Sequence, residues 1–352
     1  MDTSGSGKAR SGGGFTSIKP ARERKTYLYT PFGGEAALDS AIGENMVRVA
    51  KGKTAHALIA PSEEAANALE AKRAVRLHKW KQKLDRADTV MRQHHSEVVR
   101  AGMTHKMRVR QIVHNKSLSD EQRKIALQEE KDRHDLSLPH EYVMAQTDKL
   151  LFADQYQSLK ETRIANATAS FEVRVPSGNK QWPNLFPKEL VRHDNIYPSV
   201  FDKSKPLSRV HADDKLYVLG HGTPESKDVP NPGIYAKPTI QGPSLSPRGL
   251  VQHLEHAGLS TEFQDLRITA CQSVPLMDDT SAKSVSAARN TKFLAPEFAK
   301  EAVSRFSKMT VTGYMGNGVT FPKGARHHQR AHPEDAMYRL RRSPLALKFK
   351  PL

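Results

Sequence analysis

The chain has 352 residues, with 55 lysines and arginines against 38 aspartates and glutamates, a net charge of +17 and a single cysteine. That length suits two or three domains with a sizeable core, and the charge points to anionic partners such as nucleic acid, a membrane surface or polyphosphates without bearing on the fold. One cysteine excludes an intrachain disulfide framework and argues against a cysteine-based zinc site, and no run of about 18 apolar residues offers a transmembrane helix.

Residues 1–61 are weakly patterned. The first twenty are rich in glycine and serine and lack the apolar stretch of a secretory signal peptide. The whole segment is therefore expected to be a disordered leader, a texture that also suits a non-classical secretion signal. Within it, Thr26–Tyr29 fits a short strand and Pro31–Gly34 a turn.

Ser62 is a good N-cap, with Glu63 and Glu64 placed for the helix dipole. Leu69, Leu77, Trp80, Leu84, Ala87, Met91 and Val98 then form one apolar seam, interrupted by Arg73 and His94, with Gly102 as the expected stop. Ser119 and Gln122 fit a capping box that opens a second helix running to about Arg133. A third is expected from His140 to Thr162, with Val143, Leu150, Leu151 and Leu159 as its apolar stripe. Residues 62–165 thus read as an all-α bundle or hairpin. Its basic residues, Lys72, Arg76, Lys79 and Lys83 among them, read as a solvated face, the sharper alternative being a docking surface for anionic lipid or nucleic acid.

After Ala169 the texture changes to α/β. Ser170–Val175 alternates like a strand. Lys215–Leu219 is an apolar strand, Thr223–Leu245 a long loop, and Ser246 caps a helix with Pro247 at its first position, Leu250, Val251 and Leu254 inward and Gly258 after its end. Leu266–Ala270 is the next strand, and strand, helix and strand make a parallel crossover unit. Gln272–Phe293 reads as a polar loop, Ala295–Lys308 as a helix and Met309–Thr312 as a further strand, giving an α/β domain over 166–325. Residues 326–352 read as a basic tail with a short helix near Glu334–Arg341.

The chemistry concentrates where two strands end. Leu216–Gly222 reads LYVLGHG and stops at His221; Leu266–Ser273 reads LRITACQS and stops at Cys271. In a parallel sheet, chemistry sits beyond the carboxyl ends of the strands, so neighbouring strands would bring an imidazole and a thiol into one crevice as base and nucleophile. The backbone N–H groups of Gly222 and Cys271 are the candidate oxyanion hole. No third, orienting group is fixed by the sequence, since Asp213 and Asp214 fall at the start of their strand. Asp278 and Asp279 are candidates to line a pocket for a basic substrate side chain. His327, His328 and His332 lack a suitably spaced carboxylate, so no metal site is expected. Gly313–Gly318, GYMGNG, lacks the Lys-Ser/Thr of a P-loop and reads as a strand exit near the site.

A strand ending in His221-Gly222 and a later one ending in Ala270-Cys271 resembles the caspase-like, or clan CD, cysteine peptidases. The 50-residue separation of the pair fits their usual order. Ala270-Cys271-Gln272 matches part of the caspase motif, from which Thr269 and Ser273 depart. LYVLGHG, SLSPRGLVQHLEHAGL, LRITACQS and TVTGYMGNG together look closer to the self-processing protease domains of large bacterial toxins and effectors. The resemblance covers residues 170–323. It implies a mostly parallel sheet flanked by helices, His221 and Cys271 as the catalytic pair, a protein or peptide substrate with the chain itself as one candidate, and a protein secreted without a Sec signal peptide and delivered to a host cell, the alternative being a cytoplasmic one. It also implies activation by inositol hexakisphosphate through a basic site, for which the tail offers Lys323, Arg326, Arg330, Arg339, Arg341 and Arg342. Two other readings stand beside it: an inert basic protein that binds nucleic acid or anionic membrane, and an esterase or acyltransferase using the same pair.

Overall fold

The structure, a computed structural model, describes residues 22–166, 205–223, 232–236, 243–271, 273–274, 292–318, 329–331 and 339–350. In chain order it runs β1 (Thr26–Tyr29), α1 (Glu35–Val49), β2 (Ala57–Ile59), α2 (Glu63–Gln93), α3 (His95–His114), α4 (Asp120–Ser137), α5 (His140–Glu161) and β3 (Ile164–Ala165). There follow β4 (Lys215–Val218), β5 (His221–Thr223), β6 (Gly233–Tyr235), β7 (Ser244–Leu245), α6 (Pro247–His256), β8 (Asp265–Ile268) and α7 (Leu294–Ala302). Last come β9 (Thr310–Tyr314), β10 (Asn317–Gly318), β11 (Gln329–Ala331), β12 (Arg339–Arg341) and β13 (Ala346–Phe349). Among the described residues no helix is long and apolar enough to cross a membrane.

Seven strands form one sheet in the order β13-β9-β8-β4-β1-β2-β3, and three-stranded antiparallel sheets, β5-β6-β7 and β10-β11-β12, lie apart from it. All neighbours in the large sheet are parallel except β13, which pairs antiparallel with β9. The chain lays β1, β2 and β3 outward, then returns to set β4 on the other side of β1 and continues through β8 to β9. The winding direction therefore reverses between β1 and β4. At such a point the connecting helices leave from opposite faces and a crevice opens at the strands' carboxyl ends.

Alternation along each strand divides the core into two layers. On one face Leu28, Leu58, Ile164 and Tyr217 pack under Leu38, Ile42 and Met46 of α1, Leu69 and Leu77 of α2 and Leu159 of α5. On the other, Tyr29, Val218, Leu266, Ile268 and Val311 pack under Leu250, Val251 and Leu254 of α6 and Phe298 and Ala302 of α7. The α/β class expected from the sequence is present.

Its boundaries differ from those expected. Residues 26–59, assigned to the leader, supply β1 and β2, and β1 is central to the sheet. A four-residue strand between two neighbours carries too short a pattern to stand out. Residues 346–349, assigned to the tail, supply the edge strand β13, and Arg339–Arg341, where a short helix was expected, is a strand. The helical region is thus an insertion between β2 and β3 of one sheet, not a module preceding it. Thr223–Leu245, expected as a loop, contains β5, β6 and β7. The strand expected at Ser170–Val175 lies outside the described residues.

Local signals fared unevenly in the helices. Ser62 accepts from the Ala65 N–H at 3.1 Å, and Ser119 and Gln122 form the capping box. The seam residue Arg73 is buried because it caps another helix: it donates to the Leu159 and Lys160 carbonyls, each at 3.0 Å, at the end of α5. The break falls at His94, and Gly102 lies inside α3. In α5 the expected stripe is corrected: Leu159 is buried, but Val143, Leu150 and Leu151 are exposed, and Ala145, Gln155 and Ser158 face inward.

Candidate active site

β4 and β8 are adjacent and parallel, with Val218 opposite Ile268 as their last paired residues. The Thr269 N–H donates to the Val218 carbonyl at 3.1 Å and its hydroxyl donates to the same oxygen at 3.0 Å, carrying the pairing one residue further. His221 and Cys271 each lie three residues beyond that last pair. Both therefore follow the carboxyl ends of adjacent parallel strands. His221 enters β5 opposite Tyr235 of β6, so the small sheet β5-β6-β7 grows directly from the end of β4.

The two candidate oxyanion donors belong to backbones in close contact. A Cβ built on Gly222 would collide with the Cys271 carbonyl oxygen, and would lie 2.8 Å from the Ala270 Cβ and 3.3 Å from the Cys271 nitrogen. Only glycine allows that approach. His221 is half-buried, and desolvation holds its imidazole below its ordinary value. It is therefore neutral near pH 7, the form that accepts a proton from a thiol. Cys271 is a free thiol of intermediate exposure.

The GYMGNG segment supplies a contact that sequence reading missed. It leaves β9, turns, and brings the Gly318 N–H to within 3.4 Å of the Cys271 Sγ, to which it donates. The glycine-rich exit was legible, but not the direction of its amide.

Ser273, a departure from the caspase motif, has a structural explanation. Its buried hydroxyl accepts from the Tyr314 N–H at 2.8 Å and lies 3.2 Å from the carbonyls of both Ile268 and Tyr314. Its own carbonyl accepts from the Ala295 N–H at 3.0 Å, at the start of α7. One residue thus joins the ends of β8 and β9 to a helix and fixes the turn that carries Cys271. A small hydroxyl two residues after the cysteine was the available signal.

Other expected residues fall elsewhere. Asp214 sits at the opposite end of β4, where it accepts from Arg22 at 2.9 and 3.0 Å, from the Lys25 N–H at 2.8 Å and from the His211 N–H at 3.0 Å. Burial works against its charge, yet these bonds hold its carboxyl below the usual range. Its role is to tie the N-terminal segment to the sheet. Asp278, Asp279, His327, His328, His332, Lys323 and Arg326 lie outside the described residues. Arg330 and Arg339 lie in β11 and β12, and Arg341 is exposed. Arg342 is enclosed: it pairs with Glu44 of α1 and lies over the rings of Tyr217 and Tyr314, 5.2 and 5.1 Å from their centroids. It is a packing residue rather than an open anion ligand, which removes it from the expected polyanion set. Among the described residues, no group of three or more His, Cys, Asp or Glu side chains is arranged to hold a metal.

No family model, curated protein or solved structure matches the chain. The chain is an α/β protein with a mostly parallel seven-stranded sheet flanked by helices.

Proposed function

We propose that the chain is a cysteine endopeptidase of the caspase-like type, as found in secreted bacterial effectors and toxin-like proteins. Cys271 is the nucleophile. His221 takes the thiol proton as the sulfur attacks a peptide carbonyl, and the developing oxyanion is met by the N–H groups of Gly222 and Cys271. The imidazolium then gives its proton to the leaving amine, forming an acyl-enzyme that water hydrolyses with His221 again as base. Asp278 and Asp279 are assigned to a pocket for a basic side chain, and a polyanion such as inositol hexakisphosphate to the role of activator.

One observation carries this reading: β4 and β8 are adjacent and parallel with Val218 opposite Ile268 as their last pair, and His221 and Cys271 each follow that pair by three residues. The test is intact-mass and peptide-library analysis of wild type beside Cys271→Ala and His221→Ala, with and without inositol hexakisphosphate. Cleavage of the library or of the chain by wild type, absent in both variants, is the expected result. Identical behaviour of all three, with Cys271 inert to thiol reagents, would overturn it.

A further inference from the structure

The α3–α4 pair buries a carboxylate and leaves an apolar stripe outside. In a hairpin that lives in water, apolar side chains face the partner helix and charged ones face solvent. Here α3 has no buried residue, and the one buried residue of α4 is a glutamate, Glu130. Glu130 accepts from Arg133 at 2.9 Å and stands 3.3 Å from the His105 Nδ1, while the His105 ring stacks on His134 with centroids 4.4 Å apart. The most buried part of the interior between these two helices is therefore ionic.

Some of the apolar side chains of α3 point the other way, to solvent. Val99, Met103 and Met107 recur every fourth residue along α3, so they line one side of it. They are 43%, 65% and 59% exposed. Arg100, Lys106 and Arg110 flank or extend the same stripe. The lone carboxylate of α3, Glu97, lies about 120° around the helix from Met103 and is bonded to His94 at 3.1 Å. This face therefore combines apolar side chains with cations and holds no acid. In contrast, α4 carries six carboxylates against four lysines and arginines.

We propose that the outward face of α3 docks on a bilayer containing anionic lipid, with the helix lying in the interface. Such a surface satisfies both halves of the face: methionine and valine enter the headgroup–acyl boundary, and the long cations reach lipid phosphates. A second copy of the chain would set like charges against each other on a protein of net charge +17. Nucleic acid would neutralise the cations and leave the methionines in water.

The test is co-sedimentation of the full chain with neutral phosphatidylcholine vesicles and with vesicles containing about 30% phosphatidylserine, at physiological salt. Binding to the anionic vesicles alone is expected. Met103→Ser/Met107→Ser, which leaves charge unchanged, should weaken it about tenfold. Met103→Ala/Met107→Ala provides a second pair with higher helix propensity should the serines lower helix content by circular dichroism. Lys106→Glu/Arg110→Glu should weaken binding about 30-fold or more, whereas Lys79→Glu/Arg86→Glu, the same charge change on exposed positions of α2, should cost no more than a few-fold. Wild-type binding by both methionine pairs, or equal losses from the two charge-reversal pairs, would mean that general charge attraction is at work and would overturn the proposal. So would methionine variants whose defect is in self-association or oligonucleotide binding rather than in vesicle binding.

Discussion

Gly222→Ala adds one methyl group at the tightest backbone approach of the candidate site. At its ideal position the new Cβ lies 2.8 Å from the Ala270 Cβ and overlaps the Cys271 carbonyl oxygen. Ordinary carbon–carbon contact begins at about 3.5 Å, so β5 and the Ala270–Cys271 segment must part by about 0.7 Å. No side-chain rotation can absorb the strain, because the obstacles are a backbone carbonyl and the methyl of a fully buried alanine. Overpacking of this kind costs about 1–3 kcal/mol, or a few degrees in unfolding midpoint. Catalysis should suffer more. Misplacing reacting groups by about 1 Å costs about 100-fold, and loss of an oxyanion donor costs about 100- to 1000-fold. The expected result is a fall in peptide kcat/KM of at least about 100-fold, with a midpoint lowered by only a few degrees in calorimetry. Turnover measured well below the midpoint separates the two effects. Unchanged activity and midpoint would refute the close packing of these backbones; activity restored simply by cooling would show that unfolding, not site geometry, was responsible.

Gly318→Pro deletes the N–H that reaches the Cys271 Sγ and should slow alkylation of Cys271 by iodoacetamide about tenfold at neutral pH, whereas Gly318→Ala, which keeps the N–H, should react like wild type. Equal rates in all three would remove that amide from the site. Arg342→Ala takes a buried guanidinium from Glu44 and two tyrosine rings and should cost about 3 kcal/mol or more in urea unfolding, while exposed Arg341→Ala should stay within about 0.5 kcal/mol; equal effects would return this segment to the status of a loose tail. Stability should also depend on acid. Burial holds His253, whose Nε2 lies 2.6 Å from the Tyr29 hydroxyl, below its ordinary value, with His256 adding to the effect, and burial does the same for His221. The unfolded chain therefore takes up protons first as pH falls below about 6.5. The stability due to the neutral rings is complete above that pH and is lost below it. Urea midpoints should fall from pH 7.5 to 5.0, less steeply in His253→Gln; an identical slope in that variant would exclude the His253 contribution.

The parts of the fold legible in the sequence were those with local punctuation. Ser246, Pro247 and Gly258 bracket α6 because cap chemistry is a property of adjacent residues; the Ser246 hydroxyl accepts from the Gly249 N–H at 3.1 Å, and Gly258 adopts φ +86°. The placement of His221 and Cys271 just beyond two adjacent strand ends was legible for a similar reason, since an apolar run that stops abruptly marks where a strand ends. Illegible features depended on distant residues. Asn45 is buried in α1 because it donates to the His56 carbonyl at 2.9 Å and lies 2.8 Å from the Thr162 hydroxyl, contacts that no local window contains. The stripe assigned to α5 failed because its inward side is held by polar bonds: the Ser158 hydroxyl donates to the Ile42 carbonyl at 2.7 Å, and Thr162 caps the end of the helix. Hydrophobic periodicity reports a buried face only where apolar contact does the burying.

The placement of the helical insertion follows from the same topology and bears on how the two halves could work together. α2 to α5 connect β2 to β3, at one edge of the sheet, whereas Cys271 follows β8, three strands in from that edge's inner neighbour β2. The reversal of winding between β1 and β4 puts the crevice between these regions, with His221 on its β4 side and the Thr30–Phe32 turn on its β1 side. The β1 side is tied to the insertion: the Thr30 N–H donates to the Ile59 carbonyl at 3.1 Å, immediately before α2 begins at Glu63. A force or ligand acting on α2 thus reaches one wall of the crevice through a single hydrogen-bonded step, while the Cys271 wall is fixed independently by Ser273. Under the proposed function, coupling between the insertion and the site would act through the spacing of β1 from β4, because the register of β4 with β8, beyond which the proposed nucleophile and base lie, is on the far side of β4.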